Sequence, residues 1–197
     1  IFGFIKNGIK IYMIHNIKDD NSLTNACDII RSGGIIIYPT DTIYGFGVDA
    51  TNPKAIRQLN ILKKRKQVYS IIVNSNNMLY KYANVSRDGQ DAINKYFPGP
   101  FTMIFNRKES NLSDLIYLNF ETIGIRIPDH KFPNEIVKYL DRPIVTTSVN
   151  VHNNKPLYEL KEIKNKFNKI NIFYDDNIKN KSLGSTIIDF SKKSKTI

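Results

Sequence analysis

Four short segments of the sequence carry side chains that could do chemistry, and each lies where a predicted strand begins or ends. The first is YPTDTIYGFG, residues 38–47, in which Thr40 and Thr42 follow an apolar strand and Gly45 and Gly47 come soon after. Ligands of α/β sheets often bind beyond strand ends, and glycine lets the backbone come close to a ligand. The segment therefore indicates a binding loop, although an ordinary turn, in which Asp41 bonds its own backbone, is an open alternative.

The second segment is LKKRK, residues 62–66, at the predicted C-terminal end of a helix. Lys63 and Arg65 would complement the helix dipole there. The same pair could clamp phosphate oxygens, because a planar guanidinium and an ammonium both bind phosphate. A solvated basic helix end is the alternative interpretation.

The third segment is ETIGIRIPDH, residues 121–130, with Arg126 in the middle of an apolar strand. Strand alternation places Arg126 on the same face as Thr122 and Gly124. These small or polar neighbours favour a polar pocket over bulk solvent as the surroundings of Arg126, and the guanidinium fork fits a carboxylate. An arginine on an exposed strand face is the alternative.

The fourth group consists of two clusters of small polar residues, PIVTTSVN at residues 143–150 and GSTIID at residues 184–189. Thr146, Ser148 and Asn150 follow one predicted strand, and Ser185 precedes another. Either cluster alone is also typical of turns. The combined inventory of hydroxyls and cations, without an evident nucleophile–base pair or metal cage, favours a reaction that needs positioning and charge neutralisation. Nucleotidyl or phosphoryl transfer is such a reaction.

Alternating apolar and amphipathic segments predict a single α/β domain, a twisted mixed sheet with helices on its faces. Predicted strands cover residues 35–38, 68–73, 101–105, 122–127, 143–147, 170–174 and 185–190. Predicted helices begin at Ser22, which would cap the first, at Asn52–Pro53 and after Ser86, with two more near 133–140 and 158–167.

Composition places limits on the class of protein. Among 197 residues, 29 Lys and Arg outnumber 18 Asp and Glu, a net charge of +11. Such a surplus favours polyanionic partners, but drift towards Lys-rich composition explains it equally well. One cysteine, Cys27, excludes a disulfide framework within the chain. Residues 1–12 carry neither a signal-peptide pattern nor a membrane span, so we expect a cytoplasmic protein with no membrane partner, an upstream extension over residues 1–12, and Met13 as a functional start.

Taken together, the motifs resemble the YrdC/YciO family from about Met13 to the C-terminus. The ordered set is PTDTIYGFG, KKR, PGPFT, TIGIRIP, TTSVN and STIID. The resemblance implies a YrdC-like domain over residues 13–197 with a deep basic cleft. It also implies an L-threonylcarbamoyladenylate synthase, which makes threonylcarbamoyl-AMP and pyrophosphate from L-threonine, bicarbonate and ATP. A separate tRNA threonylcarbamoyl transferase complex then uses this product to modify tRNA. Mg²⁺ would enter with ATP, and no tightly bound cofactor is expected.

The resemblance also assigns roles to residues by matched position. The residues it places at threonine are Thr42, Arg126, Thr146 and Ser185. The catalytic clamp on the triphosphate would be Lys63 and Arg65, and the further nucleotide contacts would be Thr122, Ser148 and Asn150.

Some positions depart from the usual family pattern and lean towards the YciO-like branch. After Arg65 the usual proline is replaced by Lys66, and the later Lys-or-Asn and Pro-or-Gly positions hold Tyr69 and Ser70. A non-catalytic alternative is therefore a YciO-like protein that binds double-stranded RNA or tRNA without efficient synthase activity. The carbamoyl-adenylate domain of hydrogenase maturation factors is a weaker alternative, because those proteins are much larger and carry cysteine zinc fingers.

Overall fold

The computed structural model describes residues 4–6, 9–151, 154–177 and 182–191. The strands along the chain are β1 (Phe4–Lys6), β2 (Ile9–Ile11), β3 (Ile14–Asn16), β4 (Ile36–Tyr38), β5 (Gly45–Asp49), β6 (Ser70–Ile72), β7 (Ala83–Asn84), β8 (Phe101–Arg107), β9 (Thr122–Arg126), β10 (Ile144–Ser148), β11 (Asn171–Tyr174) and β12 (Thr186–Asp189). The α-helices are α1 (Ser22–Arg31), α2 (Pro53–Lys63), α3 (Asn76–Tyr82), α4 (Arg87–Tyr96), α5 (Lys131–Leu140) and α6 (Leu160–Lys166), and a 3₁₀ turn covers Asp114–Ile116.

One large mixed sheet organises the domain, as predicted. Its strand order is β12-β8-β9-β6-β10-β5-β4-β11-β3, with β7 paired to β8. The central strands β4, β5, β10 and β6 are antiparallel neighbours, whereas β6 pairs with β9, and β11 with both β3 and β4, in parallel. The sheet therefore brings β4, β5, β6, β9 and β10 side by side, although they are far apart in sequence.

Local signals explain most of the helix boundaries. Asn52 accepts hydrogen bonds from the backbone of Lys54 and Ala55, and Pro53 occupies the first turn, so α2 begins where the sequence predicts. Ser86 caps α4 in the same way. Ser22, in contrast, does not cap α1, because its hydroxyl donates to the Asn16 carbonyl and Asn21 precedes the helix.

The N-terminal strands lie apart from the main sheet. Strands β1 and β2 pair only with one another among the described residues. The main sheet is joined at Met13, whose carbonyl accepts from Ile172 N at 3.0 Å and whose N–H donates to Asn171 Oδ1 at 2.9 Å. The functional start at Met13 stays a prediction.

Strand β5 has no counterpart among the predicted elements, and glycine explains why. Gly45 and Gly47 lower the strand propensity of the segment. A Cβ at Gly47 would lie 2.7 Å from Cε1 of Tyr38, which is on the neighbouring strand β4. Gly47 therefore makes room for a buried tyrosine ring, and the expectation that the glycines let the backbone come close to a ligand stays a prediction.

Candidate active site

Hydroxyl groups from five strands or their loops surround a cavity of about 250 Å³. The cavity lies beside the end of β10, beneath the loop that follows β4. Its polar lining residues are Thr40, Thr42, Ser70, Thr102, Arg126, Thr146, Thr147, Ser148 and Ser185, and its apolar ones include Ile43, Pro156, Leu183 and Ile187. The structure thus brings together five of the predicted site residues: Thr42, Arg126, Thr146, Ser148 and Ser185.

Arg126 supplies the positive charge of the cavity. The residue is only 5 % exposed, and its Nη2 is bonded to a carboxylate oxygen of Asp41. Its Nε is buried and has no hydrogen-bond partner among the described residues. Burial lowers the pKa of Arg126, and the Asp41 carboxylate opposes that shift. An arginine that lines a polar cavity suits an anionic ligand group.

Asp41 is a site residue that the sequence did not distinguish from a turn former. One carboxylate oxygen binds Arg126, and the other accepts the backbone N–H of Asp129 at 3.1 Å. Asp41 therefore joins the loop after β4 to the end of β9. Its position within PTDT gave the one available signal, a carboxylate between two threonines.

Two hydrogen-bonded networks fix the hydroxyls of the cavity. Tyr38, which is fully buried, donates to Thr146 Oγ1 at 3.0 Å. Burial raises the pKa of the Tyr38 phenol, so it stays protonated. Thr40 Oγ1 donates to the Ile43 carbonyl at 2.7 Å and lies 3.1 Å from Thr42 Oγ1. Neither network depends on solvent, because Tyr38, Thr40 and Thr42 are all buried.

Ser185 reaches the cavity from the segment that leads into β12. Its hydroxyl lies 2.7 Å from that of Thr102 on β8, and either group could donate. Thr102 and Ser70 were not predicted site residues, although Thr102 belongs to the PGPFT motif. Both occupy strand positions whose neighbours are apolar, so a hydroxyl at an otherwise apolar strand was the signal available.

Lys63 is buried behind the cavity wall and does not line the cavity. Its Nζ donates to Ser148 O at 2.7 Å, Asn150 Oδ1 at 2.8 Å and Asn150 O at 3.2 Å. Burial and the nearby charge of Arg65 lower the pKa of Lys63 to about 8. The three oxygen acceptors act against this lowering of the pKa, because they stabilise the charged form of Lys63. Lys63 thus holds the turn that carries Ser148 and Asn150, and its contact with phosphate stays a prediction.

Arg65 and Thr122 also lie outside the cavity lining. Helix α2 ends at Lys63, Lys64 adopts a left-handed conformation with φ 55°, and Arg65 is exposed beyond it. Gln67 Nε2 ties this loop to β10 by donating to Thr147 Oγ1 at 3.0 Å. Thr122 begins β9, paired with Asn106, about 13 Å along the strand from Arg126. Their nucleotide contacts stay predictions.

Two features are absent from the described residues, which are 4–6, 9–151, 154–177 and 182–191. Within those ranges, no group of three or more His, Cys, Asp or Glu side chains is arranged to hold a metal ion. No helix in the described part of the chain is long and apolar enough to span a membrane.

The fold and the cavity define an α/β protein with a polar binding cleft beside the strand ends of a mixed sheet. Residues 28–197 match the family model of Sua5, YciO and YrdC proteins, which carries the description "Telomere recombination". The chain belongs to this family, as its motifs predicted.

Several relatives carry the name of one enzyme. A putative threonylcarbamoyl-AMP synthase of Methanocaldococcus jannaschii is 35% identical over 145 residues, which cover 73% of this chain and 67% of the relative. The threonylcarbamoyl-AMP synthase of Psychromonas ingrahamii is 35% identical over 136 residues, 66% of this chain and 71% of the relative. That of Mus musculus is 28% identical over 178 residues, 86% of this chain and 63% of the mouse protein.

Solved structures share the fold. Sua5 of P. abyssi, complexed with L-threonine, matches with a TM-score of 0.77 at 22% identity. The match covers 92% of this chain, which spans 54% of that Sua5 chain. E. coli YciO matches with a TM-score of 0.79 at 20% identity, over 93% of this chain and 90% of YciO. Both likenesses concern the fold, so the leaning towards the YciO-like branch stays a prediction.

Proposed function

We propose that this chain is a threonylcarbamoyl-AMP synthase, a nucleotidyltransferase that joins L-threonine, bicarbonate and ATP. The observation that carries the proposal is the buried Arg126, which is paired with Asp41 and lines a hydroxyl-rich cavity. The named relatives support the same activity and favour it over RNA binding without turnover.

The threonine half of the reaction follows from the cavity. The Arg126 guanidinium would hold the threonine carboxylate, and the hydroxyls of Thr42, Thr146 and Ser185 would orient the rest of the molecule. Bicarbonate and the threonine amine give N-carboxy-threonine with loss of water. One oxygen of the new carbamate then attacks the α-phosphate of ATP, the bond to the β-phosphate breaks, and pyrophosphate leaves. The cavity serves this reaction by holding the attacking group in place.

The nucleotide half would depend on the cations of the α2 terminus. Arg65, which is exposed, is the proposed phosphate contact, and Ser148, Asn150 and Thr122 the further nucleotide contacts. Lys63 would contribute its charge while it holds the turn at Ser148 and Asn150. Mg²⁺ would enter with ATP on the phosphate oxygens. Charge neutralisation of this kind lowers the barrier to attack on a phosphate.

The product implies partners beyond the three substrates. A tRNA threonylcarbamoyl transferase complex would take up threonylcarbamoyl-AMP, and the net charge of +11 would attract tRNA as well as ATP. The proposed reaction belongs to the cytoplasm, where ATP and tRNA are present.

The direct test is incubation of the purified chain with labelled bicarbonate, L-threonine and ATP–Mg²⁺. We expect threonylcarbamoyl-AMP and pyrophosphate in equal amounts by mass spectrometry and a phosphate assay, with neither formed when any substrate is omitted. Salt-dependent binding of double-stranded RNA without turnover would instead support the alternative function.

A further inference from the structure

We propose that the cavity has a fixed hydrogen-bond polarity, with Thr42 as an acceptor and Thr146 as a donor. Thr40 and Tyr38 are the positioning residues that impose these directions. The inference rests on the proposed function, since it states which groups of a β-hydroxy-α-amino acid the cavity selects.

The direction of the hydrogen bond at Thr42 follows from the number of hydrogen bonds that the Thr40 hydroxyl can form. A threonine hydroxyl has one hydrogen and two lone pairs. Thr40 Oγ1 donates its hydrogen to the Ile43 carbonyl at 2.7 Å and accepts from the Thr42 backbone N–H at 3.1 Å. The contact of 3.1 Å between the two hydroxyls can then form only if Thr42 donates to Thr40. Thr42 Oγ1 consequently presents lone pairs to the cavity.

Thr146, in contrast to Thr42, acts as a hydrogen-bond donor towards the cavity. The Tyr38 phenol donates to Thr146 Oγ1 at 3.0 Å, which occupies a lone pair of that oxygen. Tyr38 is fully buried and is held against Gly47, where a Cβ would come within 2.7 Å of the ring, so the phenol has little freedom to turn away. The hydrogen of Thr146 is therefore available to an acceptor in the cavity.

These directions specify a ligand. Its carboxylate goes to Arg126, its amine donates to the lone pairs of Thr42, and its remaining oxygen, the β-hydroxyl, accepts from Thr146. An amine that has become a carbamate still carries one N–H, so the contact with Thr42 survives N-carboxylation. A β-hydroxyl is thereby recognised as an acceptor, and amino acids without it leave the Thr146 hydrogen unpaired.

Binding experiments with two truncated ligands separate the two contacts. L-2-Aminobutyrate is threonine without the hydroxyl, and (R)-3-hydroxybutyrate is threonine without the amine. Calorimetric titration of each ligand, and of L-threonine, into the wild type, Tyr38→Phe and Thr40→Val gives the affinity ratios. Tyr80→Phe is the matched control, because its phenol bonds Gln90 outside the cavity lining. Thr40→Ser restores a hydroxyl and is the rescue variant.

We expect Tyr38→Phe to lower the affinity for threonine about three- to tenfold, whereas the affinity for 2-aminobutyrate stays within about twofold of the wild type. Thr40→Val should lower the affinities for threonine and 2-aminobutyrate to a similar degree and leave the affinity for 3-hydroxybutyrate unchanged. Thr40→Ser should restore the affinity for threonine. Equal losses for threonine and 2-aminobutyrate in Tyr38→Phe, or for all three ligands in Thr40→Val, would overturn the polarity. A wild type that binds no threonine would refute the proposed function instead.

Discussion

The guanidinium of Arg126 and the carboxylate of Asp41 form an ion pair that joins two segments 85 residues apart in sequence. The pair is almost fully enclosed, with side-chain exposures of 6 % and 11 %. Asp41 compensates the buried charge without covering the Arg126 Nε, which stays unpaired within the described structure. The pair thus fixes the orientation of a cation that lines the cavity.

Replacing Arg126 with lysine tests the carboxylate contact. Arg126→Lys keeps a positive charge but loses the bidentate fork. A charged hydrogen bond is worth about 1.5–3 kcal/mol, so threonine affinity should fall about tenfold or more. ATP affinity should change much less. Calorimetry with each ligand measures both effects, and Arg142→Lys, whose arginine bonds Asp49 instead, serves as control. Equal losses for threonine and ATP would indicate a structural arginine.

Removing the charge of Asp41 tests the ion pair itself. Asp41→Asn leaves the Arg126 guanidinium buried without a counter-ion, which should lower the free energy of unfolding by about 3–5 kcal/mol. Asp28→Asn removes a carboxylate from an exposed pair with Arg31 and should cost about 1 kcal/mol or less. Urea titrations of the two variants give the comparison. Similar small losses in both would show that Asp41 does not stabilise Arg126.

Arg65 is expected to act on ATP alone. Arg65→Ala should lower the affinity for ATP about tenfold, because a charged phosphate contact is lost, and should leave the affinity for threonine unchanged. Arg57→Ala removes the same charge from an exposed position of α2 and provides the control. Calorimetric titration with ATP at low and high salt completes the test, because an exposed charge pair weakens as salt is added. Equal ATP affinity in both variants would place the phosphates elsewhere.

The buried ammonium of Lys63 should make stability depend on alkaline pH. Its pKa is lowered from 10.5 to about 8 in the folded chain. Between those pH values the unfolded chain binds more protons, so the free energy of unfolding should rise with pH. Denaturant titrations at pH 7 and pH 10 should show the wild type gaining stability relative to Lys63→Met. The exposed Lys161→Met serves as the matched control. A Lys63→Met variant whose stability follows pH as the wild type does would mean that the buried ammonium keeps its proton.

Gly47 and Gly45 offer a matched pair for testing the packing of Tyr38. Gly47→Ala places a Cβ at 2.7 Å from the Tyr38 ring and should lower the free energy of unfolding by about 1–3 kcal/mol. In Gly45→Ala the nearest atoms are 3.4 Å away, so a smaller loss is expected. Thermal unfolding ranks the two, and a more harmful Gly45→Ala would contradict the packing described for β4 and β5.

Much of the fold follows from local signals. The cap and proline at Asn52–Pro53 predict the start of α2, and the β9 pattern places Arg126 within a strand beside Gly124 and Thr122. These features depend on a few neighbouring residues, so the sequence displays them directly.

Contacts between distant segments explain what the sequence could not show. Nothing local reveals that Asp41 meets Arg126, because neither residue requires the other to form its own loop or strand. The burial of Lys63 is equally hidden, since two of its three partners are backbone carbonyls, which every residue carries. Strand β5 escapes detection because its glycines lower the strand propensity, and the reason for Gly47 is a ring on another strand.

The wide separation of the cavity residues along the chain has a consequence for biosynthesis. Thr40 and Ser185 line the same cavity but are 185 − 40 = 145 positions apart. Bringing such distant positions together costs loop-closure entropy and slows folding. A nascent chain cannot complete the cavity until Ser185 has left the ribosome, so amino-acid binding has to wait for the synthesis of the whole stretch between Thr40 and Ser185.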